Sequence, residues 1–157
     1  MSTLDPHAFT TTQEALARCR RYRTEHGLYG VVDPTLGRIS LEIGAVGAVT
    51  MPADLGKRVR DHLHGRARCG PVIAHPRSGR WTFLTGPNDD SYLDMALFAD
   101  LFRDCAGVAL PGSRIVLPSP ADEHTGYRRW VCPPDKDFRP ELSEVVTATR
   151  TCRALPH

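Results

Sequence analysis

The densest group of chemically capable side chains lies between His62 and Arg80. The segment His75-Pro76-Arg77-Ser78-Gly79-Arg80 reads as a tight turn, and a turn tip carrying a histidine, two guanidinium groups and a glycine offers several donors to a phosphate. A solvated turn would use the same residues, since glycine and proline serve tight turns on their own account, so both readings stay open. His62, His64, Cys69 and His75 are residues of the zinc-ligand type. Their spacing fits no structural zinc pattern, and the first two histidines point to different faces of a helix, so no metal is expected. The five cysteines, Cys19, Cys69, Cys105, Cys132 and Cys152, contain no Cys-x-x-Cys pair, which predicts reduced, mostly buried thiols and not a disulfide framework.

Other chemistries lack their residues. There is no G-x-S-x-G elbow, and Ser78 or Ser119 with a distant histidine is an arrangement that chance supplies. Gly44-Ala45-Val46-Gly47 has neither the lysine nor the glycine spacing of a phosphate or dinucleotide loop. Metal-dependent phosphoryl transfer needs acids converging from strand ends. Here Asp33, Asp54, Asp61, Asp89, Asp90, Asp94, Asp100, Asp104, Asp122 and Glu123 read as turn, helix-cap or helix-surface positions. No cofactor is expected.

The elements that must position these residues are short. Phe9, Ala15, Leu16, Cys19 and Tyr22 predict a helix over 8–26, stopped by Gly27. Strands follow over 29–32, 38–43 and 45–51, the last two as possible neighbours in a sheet. Thr50 reads as the N-cap of a helix carrying Leu55, Val59 and Leu63 on one face, with Lys57, Arg58 and Arg60 off that stripe. Strands 72–74 and 81–85 flank the His75–Arg80 turn as a hairpin. A third helix is expected to open at Asn88, Asp89 or Asp90 and to run through Leu93, Leu97 and Leu101 to Gly107. Residues 108–110 and 114–117 bracket Pro111-Gly112 as a second hairpin; 127–131 follows a polar loop as a strand, and a helix over 141–153 carries Leu142, Val145 and Val146. About four helices interleaved with six or seven short strands make an α+β fold with a mixed or antiparallel sheet.

With 157 residues, 41% hydrophobic and 24% charged, residues 1–157 are the size of a single domain. No apolar run approaches the roughly 18 residues of a membrane span, and the start MSTLDPHAFTTTQEALARCRRYR places charge where a secretory signal would be apolar. A soluble cytoplasmic protein with no membrane partner is expected. The net charge of +2 is unevenly spread: seven basic against two acidic residues over 51–80, then two against seven over 81–127. Of the 20 basic residues 18 are arginine, the better fork for phosphate.

From Val46 to Pro134 the order of pieces resembles the later half of the bifunctional DNA primase/polymerase (prim-pol) N-terminal domain, especially short actinobacterial members that have lost the catalytic set. Residues 1–45 lie outside the resemblance. In active members a strand ends in D-x-D, a hairpin carries a nucleotide-binding histidine, and a strand pair supplies a third acid. Here the strand 45–49 runs into Thr50-Met51-Pro52-Ala53, the hairpin reads Pro76-Arg77-Ser78-Gly79-Arg80-Trp81-Thr82-Phe83-Leu84, and Gly107 precedes Val108-Ala109-Leu110-Pro111-Gly112. Gly126-Tyr127-Arg128-Arg129-Trp130 fits the closing strand. The resemblance therefore places Thr50, Trp81 and Gly107 at degenerate catalytic positions, and without the acids nucleotidyl transfer is not expected.

Three functions remain. A non-catalytic prim-pol-like module would bind nucleic acid or a nucleotide through Lys57, Arg58, Arg77, Arg80, Arg114 and Arg128, within a basic block that also holds Arg60, Arg66 and Arg68. A regulatory module would dock on a replication or transcription protein through the acidic helix 89–104 or the basic helix 53–64. An enzyme would use an unrecognised site around His75, Arg77, Arg80 and Arg114.

Overall fold

A computed structural model describes residues 6–88 and 94–153. In chain order its elements are α1 (Pro6–His26), β1 (Val31–Asp33), β2 (Arg38–Glu42), β3 (Gly47–Pro52), α2 (Ala53–Gly65), β4 (Val72–His75), β5 (Arg80–Thr85), α3 (Met95–Arg103), β6 (Gly107–Val108), β7 (Arg114–Leu117), α4 (Pro120–Thr125), β8 (Arg129–Cys132) and α5 (Leu142–Thr151). The strands form two antiparallel sheets, ordered β1-β2-β7 and β6-β3-β5-β4-β8. The chain is an α+β domain, and none of its described helices is long and apolar enough to cross a membrane.

Alternation along the strands gives the larger sheet two faces. Val49, Met51, Val72, Ala74, Trp81, Phe83 and Val108 point to one, where the Leu55, Val59 and Leu63 stripe of α2 and Leu142, Val145 and Val146 of α5 cover them. Each fully buried aliphatic there contributes about 1.5–3 kcal/mol. Gly56 permits the close approach of α2, since a Cβ at that position would lie 2.7 Å from the Trp81 ring. Ala48, Ile73 and Leu84 point to the inner face, which packs on Ile39, Leu41 and Leu117 of the smaller sheet and on Cys19 and Tyr22 of α1. The N-terminal strands outside the resemblance thus complete one core with the rest of the chain.

Several local expectations fail for one reason: a turn signal marks a change of direction and not the partner. Residues 108–110 and 114–117 do not form a hairpin. β6 pairs with β3 in the larger sheet and β7 with β2 in the smaller, and Pro111-Gly112, with Gly112 at φ +83°, is the corner between layers. β2 and β3, likewise expected as possible neighbours, belong to different sheets. Thr50 is not the cap of α2. It stays within β3, paired with Thr82 and Gly107, and the first amide of the helix, Ala53 N–H, donates instead to Gly79 C=O at 2.9 Å.

α3 starts later than expected, at Met95, because Asp94 takes the cap by accepting the Leu97 N–H at 3.1 Å; Asp89, Asp90 and Leu93 lie outside the described residues. The polar loop before β8 contains the unforeseen α4. Its signals are conventional ones: Ser119 Oγ accepts Asp122 N–H at 3.1 Å, Pro120 opens the first turn and Gly126 closes it at φ +78°.

Candidate phosphate-binding site

The β4–β5 hairpin sets His75 opposite Arg80 and Ile73 opposite Thr82, and β3 sets Thr50 opposite Thr82. Residues paired across antiparallel strands share a face, so Thr50, His75, Arg80 and Thr82 all lie on the inner face towards the hairpin tip, Thr82 buried and the other three half-buried. They are linked diagonally: His75 Nε2 lies 2.8 Å from Thr82 Oγ1, and Arg80 Nη2 donates to Thr50 Oγ1 at 3.0 Å. Beyond β4, α4 and the turn after it bring Asp122 and Arg128 to the same place, joined by an Arg128 Nη1–Asp122 Oδ1 contact of 3.3 Å. Arg77, at the hairpin tip, lies over the Tyr127 ring, 3.8 Å from its centroid.

The electrostatics are cationic. Burial pushes the His75 imidazole below its ordinary pKa, and Arg128 and Arg80 push it further against the pull of Asp122. The histidine is therefore neutral at neutral pH, and the positive charge comes from Arg77, Arg80 and Arg128 with Asp122 as a partial counterweight. Arg128 Nε and Asp122 Oδ2 are buried without a hydrogen-bond partner among the described residues, a cost normally offset by another polar group. Gly107, opposite Thr50 in the ladder, adds space: a Cβ there would meet no heavy atom within 4 Å.

Of the nine residues singled out in the sequence, the structure brings Thr50, Gly107, Arg77, Arg80 and Arg128 to this end of the inner face. Trp81 is turned to the opposite face, buried against Gly56 with the Arg60 guanidinium 5.4 Å from its ring centroid. The three positions at which the resemblance expects lost catalytic residues thus occupy adjacent strands without sharing a cleft. Arg114 stands in the other sheet, opposite Glu42. Lys57 and Arg58 are exposed on α2, and Arg58 donates to Cys152 C=O at 2.8 Å. Nor does the basic block form one patch. Arg68 makes a two-pronged bond to Glu144 of α5 at 2.6 and 3.0 Å, and Arg60 donates to Asp61 at 3.2 Å.

Asp122 and Thr82 are site residues that the sequence does not single out; Asp122 reads there as a turn, helix-cap or helix-surface acid. Within the acidic segment 89–104 offered as a docking surface, Asp89 and Asp90 lie outside the described residues, while Asp100 binds Arg150 and Arg153, and Arg153 also reaches Asp104.

The histidines and cysteines are regrouped as well. His62 lines a cavity with Arg66, Arg68 and Glu144, and His75 belongs to the inner face. His64 and Cys69 meet Cys132 from the end of β8. There the Cys69 thiol donates to Cys132 Sγ, which brings the Cys132 pKa down to about 6 with help from His64 and Arg60, while the same contact and burial push Cys69 up. No family model matches the chain, and neither a curated protein nor a solved structure is detectably similar to it.

Proposed function

We propose that this chain is a non-catalytic module that binds a phosphate-bearing ligand, nucleic acid or a nucleotide, at the hairpin-tip end of the inner face. One observation carries the reading: Arg80 and Arg128 converge on a neutral His75 at the edge of the β4–β5 hairpin, with Arg77 of the hairpin tip on the ring of Tyr127 next to Arg128, and Arg128 Nε has no protein partner among the described residues. Arg80 and Arg128 are each held by one bond, to Thr50 and Asp122, which leaves other guanidinium donors for phosphate oxygens. Tyr127 beside Arg77 adds an aromatic surface of the kind on which a base stacks. Thr50 and Gly107 sit where the prim-pol resemblance expects metal-binding acids, so the reading includes binding without nucleotidyl transfer.

Fluorescence anisotropy with short single- and double-stranded DNA and RNA tests it. Binding at micromolar protein in low salt is expected, weakening steadily as salt rises. Arg77→Ala and Arg80→Ala should each weaken binding for all sequences and flatten the salt slope by about one unit, while Arg114→Ala leaves both unchanged. Absence of binding in low salt, or equal loss with Arg114→Ala, would sink the proposal.

A further inference from the structure

On the helix-covered side of the larger sheet, three ligand-type atoms converge, from α2, from the connection that follows it and from β8. Cys69 Sγ and Cys132 Sγ are 3.9 Å apart, Cys132 Sγ and His64 Nε2 are 3.8 Å apart, and all three atoms lie within 4.8 Å of one another. Zinc–sulfur bonds of about 2.3 Å and zinc–nitrogen bonds of about 2.0–2.1 Å at tetrahedral angles separate two sulfurs by about 3.8 Å and sulfur from nitrogen by about 3.6 Å. The Cys69–Cys132 and Cys132–His64 edges match such a tetrahedron to within a few tenths of an ångström, and the Cys69–His64 edge is at most 4.8 Å. A disulfide, by contrast, requires the sulfurs to close to about 2.05 Å and gives the histidine no role.

Two local irregularities of the backbone produce this convergence. α2 ends in a tight reversal in which Ala67 N–H donates to His64 C=O at 2.9 Å and Arg68 N–H to Leu63 C=O at 2.8 Å. Ala67 adopts φ +55°, a left-handed conformation disfavoured for alanine. The reversal brings Cys69 back beside His64. In β8, Ile73 pairs with Trp130 and Val72 with Cys132, so Val131 is an extra residue, a β-bulge. Strict alternation would put Cys132 on the inner face with Trp130. The bulge turns it to the other side, where Val131 and Cys132 both pack against the helix-covered core. The three atoms border a cavity of about 510 Å³ that Asp135 and Phe138 also line.

We propose that His64, Cys69 and Cys132 bind a thiophilic divalent cation of the zinc class, with its fourth coordination position open to that cavity. Three protein ligands and an open position are the arrangement that lets a bound zinc take water or a small anionic ligand. Two thiolates neutralise the ion's charge.

The test uses the full-length protein, reduced, stripped with a chelator and titrated with Zn²⁺ and with Co²⁺. One equivalent of either metal should bind. The Co²⁺ form should show the intense visible bands of tetrahedral coordination together with a thiolate charge-transfer band, and two of the five thiols should become slow to react with Ellman's reagent. Cys69→Ser and Cys132→Ser should each weaken binding by at least about 100-fold, a loss greater than that of outer-shell changes, and His64→Ala should also weaken it. Cys105→Ser and His62→Ala should leave it unchanged. Circular dichroism of each variant separates lost binding from lost fold, and a folded Cys132→Ser or His64→Ala protein suffices if Cys69→Ser misfolds. No uptake by the reduced folded protein, an octahedral cobalt spectrum, undiminished binding by the folded variants, or a Cys69–Cys132 disulfide with no metal bound by the reduced form each overturns the proposal.

Discussion

His75 illustrates how a surface-turn residue acquires a folded-state role. It is the last residue of β4, yet its ring lies against Thr82 and faces Arg80, Arg128 and Asp122. Burial and the two arginines disfavour its protonated form, so its folded pKa lies below the unfolded value of about 6.5. Between those two values the unfolded chain binds more protons than the folded one, so stability falls as pH drops below about 6.5 and levels off once the folded histidine also protonates. Urea midpoints from about pH 7.5 to about pH 5 should decline less steeply for His75→Gln than for the wild type. Identical slopes would show that the ring does not resist protonation in the folded state. The residue types at this site were legible in the sequence, because the turn and its arginines are contiguous. The partners Thr82 and Asp122 were not, since they depend on strand register and on a helix placed by distant packing.

At the level of elements, α4 fixes two of the site's charges. It is only six residues long, too short to persist without tertiary support, and it is held by the Ser119 cap at one end, Gly126 at the other and the Arg18–Glu123 ion pair to α1. Ser119→Ala should lower the unfolding free energy by about 1 kcal/mol, read from urea denaturation; no change would mean that the neighbouring contacts alone hold the turn. The contrast with α2 is informative. The Leu55, Val59 and Leu63 stripe sufficed to identify that helix and its buried face, because periodicity over 13 residues is a strong local signal. In α4, six residues span fewer than two turns, too few for an apolar stripe to repeat, and only the capping chemistry identifies it. The β4–β5 hairpin was legible for a similar local reason, whereas the Pro111-Gly112 corner carried the same turn chemistry and led to a different sheet.

Across the whole molecule, the two layers are fastened at Tyr22. Its hydroxyl accepts from Trp130 Nε1 at 3.0 Å and donates to Pro118 C=O at 2.5 Å, linking α1 to the edge strand β8 and to the end of β7. The rings of Tyr22 and Trp130 also meet edge to face, with centroids 5.8 Å apart. Tyr22→Phe keeps the ring and leaves the indole N–H and the Pro118 carbonyl without this partner, so equilibrium unfolding should show a loss of about 1–3 kcal/mol. A smaller effect would place the adhesion of the layers in apolar burial alone. The same layering decides the charge distribution. The seven basic residues over 51–80 look like one patch along the chain, but the larger sheet stands between Lys57 and Arg58 on α2 and its own inner face, which holds Arg80.

By itself the sequence determined the α+β class, the principal helices and hairpin, and the chemical character of the hairpin tip, all of which follow from periodicity and turn chemistry acting over a few residues. Only the tertiary structure decided which cations share a surface, that Trp81 is core while Thr50 lies on the opposite face bonded to Arg80, and that Cys132 stands beside His64 and Cys69. Those outcomes depend on strand pairing, on a one-residue bulge that reverses the side on which a side chain emerges, and on the layer that separates residues close in number. None of these leaves a local pattern for the sequence to display.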